Sequence, residues 1–313
     1  MGWTARDIPD LSGRVAIVTG GNGGLGLEVA RELAAHGATV VIAARDASKS
    51  EAARRLILAE SPHAAVEVRA LDLSSLASVE AFATGVGADH PAVDRLFANA
   101  GVMGLPEGQT ADGFETQLGI NYLGHFALTM RLMPALLAAA AQRGSARVVT
   151  TTSMSRFQAG RFDLADLHLR GHYQAWVAYG ISKRAMLEFA LELERRVADR
   201  GVHGFAADPG FSRTGLQAKS VAALGDLEGR ASAIAVRLVG QSARMGALPL
   251  LRAGTDPDLR GGLLVAPRWI SFGSPVVRAV RGRMADPAEH AALWTFSERE
   301  TGVALAGLVD RPA

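Results

Sequence analysis

The sequence predicts an α/β domain, a doubly wound parallel sheet with helices on both faces, and three observations carry that expectation. Short apolar runs rich in β-branched residues alternate with helical patterns over roughly the first 200 residues. The first two runs, through Val18 and Ile42, are apolar throughout rather than every second residue, as strands covered on both faces are. Between the first run and the first helix stands a glycine-rich turn, Gly20-Gly21-Asn22-Gly23-Gly24-Leu25-Gly26. Strand–helix–strand crossovers are right-handed, so this turn falls at the carboxyl edge of the sheet, where ligands bind.

Arg14 to Gly20 reads as the first strand, and the helix after the turn points Leu27, Val29, Ala30, Leu33 and Ala34 inward until Gly37 ends it. Thr39 to Ala44 is a second buried strand, followed by a polar helix through Arg55 and Leu58. Val66 to Leu71 is a third strand, and Asp72-Leu73-Ser74-Ser75 caps the next helix. Further strands are expected at Val93–Ala98, Arg147–Thr150 and Val202–Ala207. One long helix is expected from about Asp112 to Gln142, and another around Tyr179. Gly246–Leu251 and the tail from Pro287 read as helices, whereas Arg268 to Arg283, with three more arginines toward its end, reads as a solvated loop. No repeat, low-complexity tract or linker interrupts the chain, so residues 1–313 form one domain. Its cofactor-binding part covers about 12–150, and its catalytic and substrate-binding part about 151–313.

Composition narrows the function classes. The 313 residues are 49% hydrophobic with a net charge of +2, and no basic–aromatic stretch suggests a nucleic-acid face. With no cysteine, thiolate catalysis and cysteine-ligated metal sites are excluded. The first residues lack the apolar core of a signal peptide, and the longest apolar stretch is too short to span a bilayer. A soluble, cytoplasmic protein with no membrane span is therefore expected.

The glycine turn points to a dinucleotide held in a Rossmann-type sheet. Gly20, Gly24 and Gly26, with Asn22 and Leu25 between them, allow a tight turn and let a pyrophosphate approach the backbone at a helix N-terminus. An acidic residue ending the second strand would select NAD through the ribose hydroxyls. That strand ends Ala43-Ala44-Arg45-Asp46 instead. Ala44 leaves room and Arg45 suits a 2′-phosphate, so NADP is expected, with NAD possible. Asp46 could pair with Arg45 or cap the following helix.

The chemistry is expected at Tyr179 and Lys183. The chain has three tyrosines and only three lysines, Lys49, Lys183 and Lys219, yet one of each stands at i and i+4 on a helical pattern. That spacing puts both on one helix face. A phenol of ordinary pKa ~10 is a poor acid–base group at neutral pH, and an ammonium beside it favours the phenolate. A tyrosine tuned in this way can exchange a proton with an alcohol or carbonyl oxygen.

Taken together, Thr19-Gly20-x-x-x-Gly24-x-Gly26, Asn99-Ala100-Gly101, Asn121, Ser153 and Tyr179-x-x-x-Lys183 resemble the short-chain dehydrogenase/reductase family from about residue 12 to about residue 215. Asn121-Tyr122-Leu123-Gly124-His125-Phe126 and Leu71-Asp72-Leu73-Ser74-Ser75-Leu76 look like its retinol-dehydrogenase-like and protochlorophyllide-reductase-like branch. The resemblance implies that Asp72 and Leu73 lie near the adenine, that Asn99 steadies the sheet, and that Ala100 and Gly101 line the cofactor. It also implies that Ser153 hydrogen-bonds the substrate oxygen, Tyr179 is the acid–base residue, and Lys183 binds the nicotinamide ribose and lowers the tyrosine pKa. Asn121 would hold a water in the proton relay, and Pro209, Gly210 and Thr214 would hold the nicotinamide carboxamide. Thr150 departs from the family's frequent asparagine, Thr152 is a rival hydroxyl to Ser153, and Gly180 is an unexpected neighbour for Tyr179.

The expected activity is NADP(H)-preferring interconversion of an alcohol with its ketone or aldehyde, on an apolar small molecule, by a homodimer or homotetramer. The alternatives are a non-catalytic NAD(P)-binding regulator or scaffold, and a C=C reductase resembling protochlorophyllide reductase. Residues 154–178 are longer than a direct strand-to-helix connection needs, and Phe157, Phe162, Leu164, Leu167, Tyr173 and Trp176 either wall a substrate pocket or pack the loop down. Residues 211–244 read as a lid over the substrate or as an oligomer contact. His168 and His172 have helical spacing for a metal but no third ligand, so no metal is expected.

Overall fold

The computed structural model describes residues 2–159, 162–211 and 241–306. The six apolar runs become β1 (Val15–Thr19), β2 (Thr39–Ala44), β3 (Val66–Ala70), β4 (Arg95–Ala98), β5 (Ala146–Thr151) and β6 (Val202–Ala207). They join one eight-stranded sheet in the order β3-β2-β1-β4-β5-β6-β7-β8. All neighbours pair in parallel except the last two, β7 (Leu263–Trp269) and β8 (Phe272–Arg278), which form an antiparallel hairpin. The order reverses between β1 and β4, so the loops leaving these two strands diverge and open a crevice at their carboxyl ends.

Helices cover both faces. On one side α1 (Gly24–Ala35), α2 (Ala47–Glu60) and α8 (Ala243–Thr255) bury Val29, Leu33, Ile57 and Leu250 against Val18, Val40 and Ile42. On the other, α3 (Leu76–Asp89), α4 (Thr116–Leu118), α5 (Gly124–Arg131), α6 (Met133–Arg143), α7 (Ala175–Val197) and α9 (Pro287–Thr301) enclose Ile17, Leu96, Val148 and Phe189. Trp294 of α9 is fully buried, its ring centroid 5.2 Å from Phe126 and 5.8 Å from Phe189, so the C-terminal helix is part of the core. Truncating such a side chain to alanine typically costs ~3–5 kcal/mol.

Two expectations are corrected. The long helix from Asp112 to Gln142 begins only at Thr116, passes through a π-helical turn at Gly119–Leu123, and bends by 56° between Arg131 and Met133. The bend falls where Pro134 enters the first turn of α6 and cannot donate a backbone hydrogen bond. Arg268 to Arg283 is not simply a solvated loop, because its first half ends β7 and forms β8. Its arginines disguised the strand: on an outermost strand one face meets water, so charged side chains and the facing Pro267–Pro275 pair are tolerated. Among the described residues no single helix is long and apolar enough to cross a membrane.

Candidate active site

The crevice at the switch point is a cavity of about 490 Å³. Gly20, Asn22, Gly24, Leu25, Arg45, Asp72, Leu73, Asn99, Ala100 and Gly101 all line it, as the sequence suggested. Gly20 turns the chain out of β1 with φ 65°, a conformation that side chains resist. Gly26 serves a different purpose. A Cβ there would stand 2.4 Å from the Gly20 carbonyl and 2.6 Å from Asn99 Nδ2, so its absence lets α1 lie close against the sheet. The first turns of α2 and α3 are capped by Asp46 and Ser75, whereas α1 begins after Gly23 without a side-chain cap. Its leading N–H groups therefore face the cavity with the positive end of the helix dipole behind them.

Beneath the cavity, Thr19 gathers three segments. Its hydroxyl accepts from the backbone N–H of Asn99 and Ala100, both at 2.9 Å, while Asn99 Nδ2 donates to the Thr19 carbonyl at 3.0 Å. His125 Nδ1 faces the Asn121 carbonyl at 2.8 Å, which can only accept, so Nδ1 carries the proton. Nε2 is then left to accept from the Thr19 hydroxyl at 2.9 Å. Burial pushes the imidazole down to about 4, and it stays neutral. In the sequence His125 stood within the Asn121–Phe126 segment that carries the resemblance, with no role of its own assigned.

At the rim, Asp46 resolves its two alternatives. It accepts from Lys49 N at 3.0 Å as the cap of α2 and pairs with Lys49 Nζ, leaving Arg45 to Asp72 at a loose 3.9 Å. Asp72 in turn accepts from Ser74 N and Oγ at 2.9 and 2.7 Å, which fixes the loop entering α3.

Tyr179 and Lys183 lie one turn apart on α7, both buried. Lys183 Nζ donates to the Thr151 carbonyl at 3.1 Å and stands 5.7 Å from the Tyr179 ring centroid. It also reaches toward the cavity, since a Cβ on Gly101 would lie 3.5 Å from it. Burial raises the Tyr179 pKa above the ordinary phenol value; the Ser153 hydroxyl opposes this and the Asp208 carboxylate adds to it. Burial pushes Lys183 down to about 8, with Asp208 pulling the other way. Burial, rather than the neighbouring ammonium, therefore dominates the phenol here. The ammonium lies over the ring face and is committed to the Thr151 carbonyl, while desolvation disfavours the charged form of each group.

Asn121 sits in the π-helical turn, where its amide makes three hydrogen bonds. Nδ2 donates to the Val102 carbonyl and to Ser182 Oγ, both at 2.9 Å, and Oδ1 accepts from Val102 N at 2.7 Å. Of the two rival hydroxyls, Thr152 Oγ1 donates to the Lys183 carbonyl at 2.6 Å, whereas that of Ser153 acts on the Tyr179 phenol. Thr150 ties β5 to α7 through the Met186 carbonyl at 2.9 Å. Gly180 also finds its reason, since a Cβ there would stand 2.7 Å from Ala159 N and Ser155 O. Only glycine lets the segment after Ser153 press onto α7.

A buried ion pair escaped the sequence reading. Arg156 Nη1 bonds Asp208 Oδ2 at 2.5 Å and the Ser153 carbonyl at 2.8 Å, while Asp208 Oδ1 accepts from Gly210 N at 2.9 Å. The pair joins the loop carrying Ser153 to the Pro209-Gly210 turn and sets a charge beside Tyr179 and Lys183. Its only trace in the sequence was an arginine three residues after Ser153 and an aspartate before Pro209. Thr214 and all but the ends of 211–244 lie outside the described residues.

The 154–178 loop divides between its two readings. Phe162 and Leu167 are buried in the core, and the Tyr173 hydroxyl donates to the Leu105 carbonyl at 2.8 Å. Phe157 and Trp176 are exposed, Trp176 with its ring 6.2 Å from that of Tyr179. His168 is held by Glu115 N and the Glu300 carboxylate, and among the described residues no His/Asp/Glu cluster could bind a metal.

Comparison with known proteins supplies independent observations. The family described as short chain dehydrogenase matches residues 14–225. The chain is 41% identical over 256 residues to polyprenol dehydrogenase of Mus musculus, covering 81% of this chain and 75% of that protein. It is 42% identical over 215 residues to retinol dehydrogenase 12 of Homo sapiens, covering 69% and 66%. A crystal structure of an uncharacterised protein from Mycobacterium paratuberculosis is similar with a TM-score of 0.79 and 40% identity, covering 97% of this chain and 99% of that one.

Proposed function

The chain belongs to the short-chain dehydrogenase family as an NAD(P)-dependent oxidoreductase acting on CH–OH groups, and from that premise we propose that it is NADP(H)-preferring and uses Tyr179 as its proton donor and acceptor. The observation that carries this reading is the placement of buried Tyr179 one helical turn from Lys183, whose ammonium reaches the end of the cavity at Gly101.

The residues present fit a dinucleotide. The uncapped start of α1 would receive the pyrophosphate, Asp72 and Leu73 the adenine, and Lys183 the nicotinamide ribose, with the Pro209-Gly210 turn bordering the ring. Arg45 on the exposed rim suits a 2′-phosphate. When bound, the nicotinamide supplies or accepts the hydride. The protein's own groups handle the oxygen. Ser153 and Tyr179 offer two O–H donors to a carbonyl that gains negative charge during reduction. Because burial keeps the Tyr179 phenol protonated, it is equipped to give its proton to that oxygen. Lys183, at about 8, carries its charge at neutral pH and holds that charge beneath the reacting groups. In the oxidative direction the phenol oxygen takes the proton back, which requires the more alkaline range.

An apolar substrate is supported by exposed Met154, Phe157 and Trp176 near these hydroxyls. The names of the two relatives point to alcohols of the same character, polyprenol and retinol. The test is a panel of apolar ketones, aldehydes and alcohols followed by NADPH absorbance. Turnover with NADPH exceeding NADH is expected. No turnover with any member, despite measurable NADPH binding, would overturn the catalytic reading.

A further inference from the structure

The antiparallel hairpin at the sheet edge carries a surface that neither the core nor the reaction requires. From Leu259 to Ala285 the chain has five arginines, at 260, 268, 278, 281 and 283, and no acidic residue, although the whole protein carries only +2. At the hairpin tip Trp269, Ile270 and Phe272 are 63%, 65% and 56% exposed. Trp269 pairs with Phe272, so Ile270 and Ser271 form a two-residue turn, and Ile270 has φ 51°. That conformation favours glycine or asparagine and is strained for a β-branched residue. Folding alone would place a small polar residue there. The tip instead holds three large apolar side chains out in water.

The tip adjoins the site. A Cβ on Gly210 would stand 2.9 Å from the Ser271 carbonyl and 3.2 Å from that of Ile270, and exposed Phe211 follows directly. Arg268 flanks Trp269, and Arg278 reaches forward to the Pro267 carbonyl at 3.1 Å. Among the described residues neither Arg268 nor Arg281 meets a carboxylate, while Arg283 pairs with Glu289.

We propose that this hairpin docks the protein on an anionic lipid surface, with Trp269, Ile270 and Phe272 entering the headgroup–acyl boundary and Arg268 and Arg278 meeting lipid phosphates and carboxylates. Aromatic rings with Arg268 beside them and Arg278 reaching toward them suit that boundary. The same charges argue against a second copy as occupant, because a two-fold contact through this face would set arginines against arginines. Docking places the mouth of the site at the bilayer surface, where an apolar alcohol or carbonyl is dissolved. The proposal rests on the surface itself and holds whether or not the assigned reaction does.

The test is flotation of the full chain with phosphatidylcholine vesicles, with and without about 30% phosphatidylserine. Binding is expected to the anionic vesicles, weakening with salt, and Arg268→Gln should reduce it roughly fivefold. Ile270→Asn suits the turn conformation, so it should raise Tm while lowering vesicle binding, a combination that misfolding cannot produce. Equal binding by wild type and Ile270→Asn, or no binding to anionic vesicles, overturns the proposal. A dimer in light scattering that Ile270→Asn dissociates would assign the tip to self-association and overturn it as well.

Discussion

The two halves of the site are built on opposite electrostatic terms. The nucleotide cradle between β1 and β4 presents backbone N–H groups and charges in contact with water, with Arg45 and Asp72 loosely apart at 3.9 Å. The half proposed to move the proton, between β5, β6 and α7, is buried instead: Tyr179, Lys183, Arg156 and Asp208 are all withdrawn from water. Water screens the first half, so each charged contact contributes little and recognition is spread over many groups. Burial amplifies the second half, so removing one group there has large consequences.

The difference can be broken at its strongest point. Tyr179→Phe is expected to lower kcat by roughly a thousandfold, within the range of general acid–base catalysis, while NADPH binding by fluorescence titration stays within about twofold. Residual activity above a tenth of wild type would remove Tyr179 from its role.

Asp208→Asn probes the buried pair. Leaving Arg156 charged and alone should cost about 3–5 kcal/mol in urea unfolding, and adding Arg156→Met should recover most of it. Asp208 raises both Tyr179 and Lys183, so its loss should move the alkaline limb of the carbonyl-reduction profile to lower pH. The double variant should keep that displaced limb although its stability returns. An unmoved limb would reduce the pair to a structural tie.

His125 shows that even the open cradle stands on a buried support. Its folded pKa of about 4 lies below the model-peptide value of 6.5, so the unfolded chain binds more protons between those values. Stability should therefore fall as pH drops from about 6.5 toward 4, by up to ~3 kcal/mol in total. Urea midpoints between pH 5 and 7 compare this slope with that of His125→Asn, which should be flatter. Equal slopes would show that other groups carry the acid sensitivity.

The smallest effect belongs to the exposed rim. Arg45→Ala should weaken NADPH relative to NADH by about 1 kcal/mol, roughly fivefold, and raised salt should shrink the difference. An equal loss for both nucleotides would separate Arg45 from the 2′-phosphate.

The contrast also explains what could be read in advance. The cradle was legible because it depends on local backbone: a glycine turn between a strand and a helix places Gly20, Asn22 and Gly24 at the cavity wherever the chain folds that way. Tyr179 and Lys183 were legible for a similar reason, helical spacing. Arg156 and Asp208, 52 residues apart, were not, and neither was His125, 106 residues from Thr19. Their significance lies in partners that only the sheet brings near. β8 was illegible because an edge strand shows no continuous apolar run, and the run in β7, Leu263 to Ala266, is only four residues long before Pro267 interrupts the strand pattern.

The sequence alone determined the parallel sheet, the switch-point turn and the helix face carrying the tyrosine–lysine pair, because each follows from periodicity or backbone geometry within a few residues. Tertiary structure alone decided how those groups ionise, which of the neighbouring hydroxyls meets Tyr179, and what stands at the mouth of the site. Burial and long-range charge set these properties, and both come into being only when distant segments pack together.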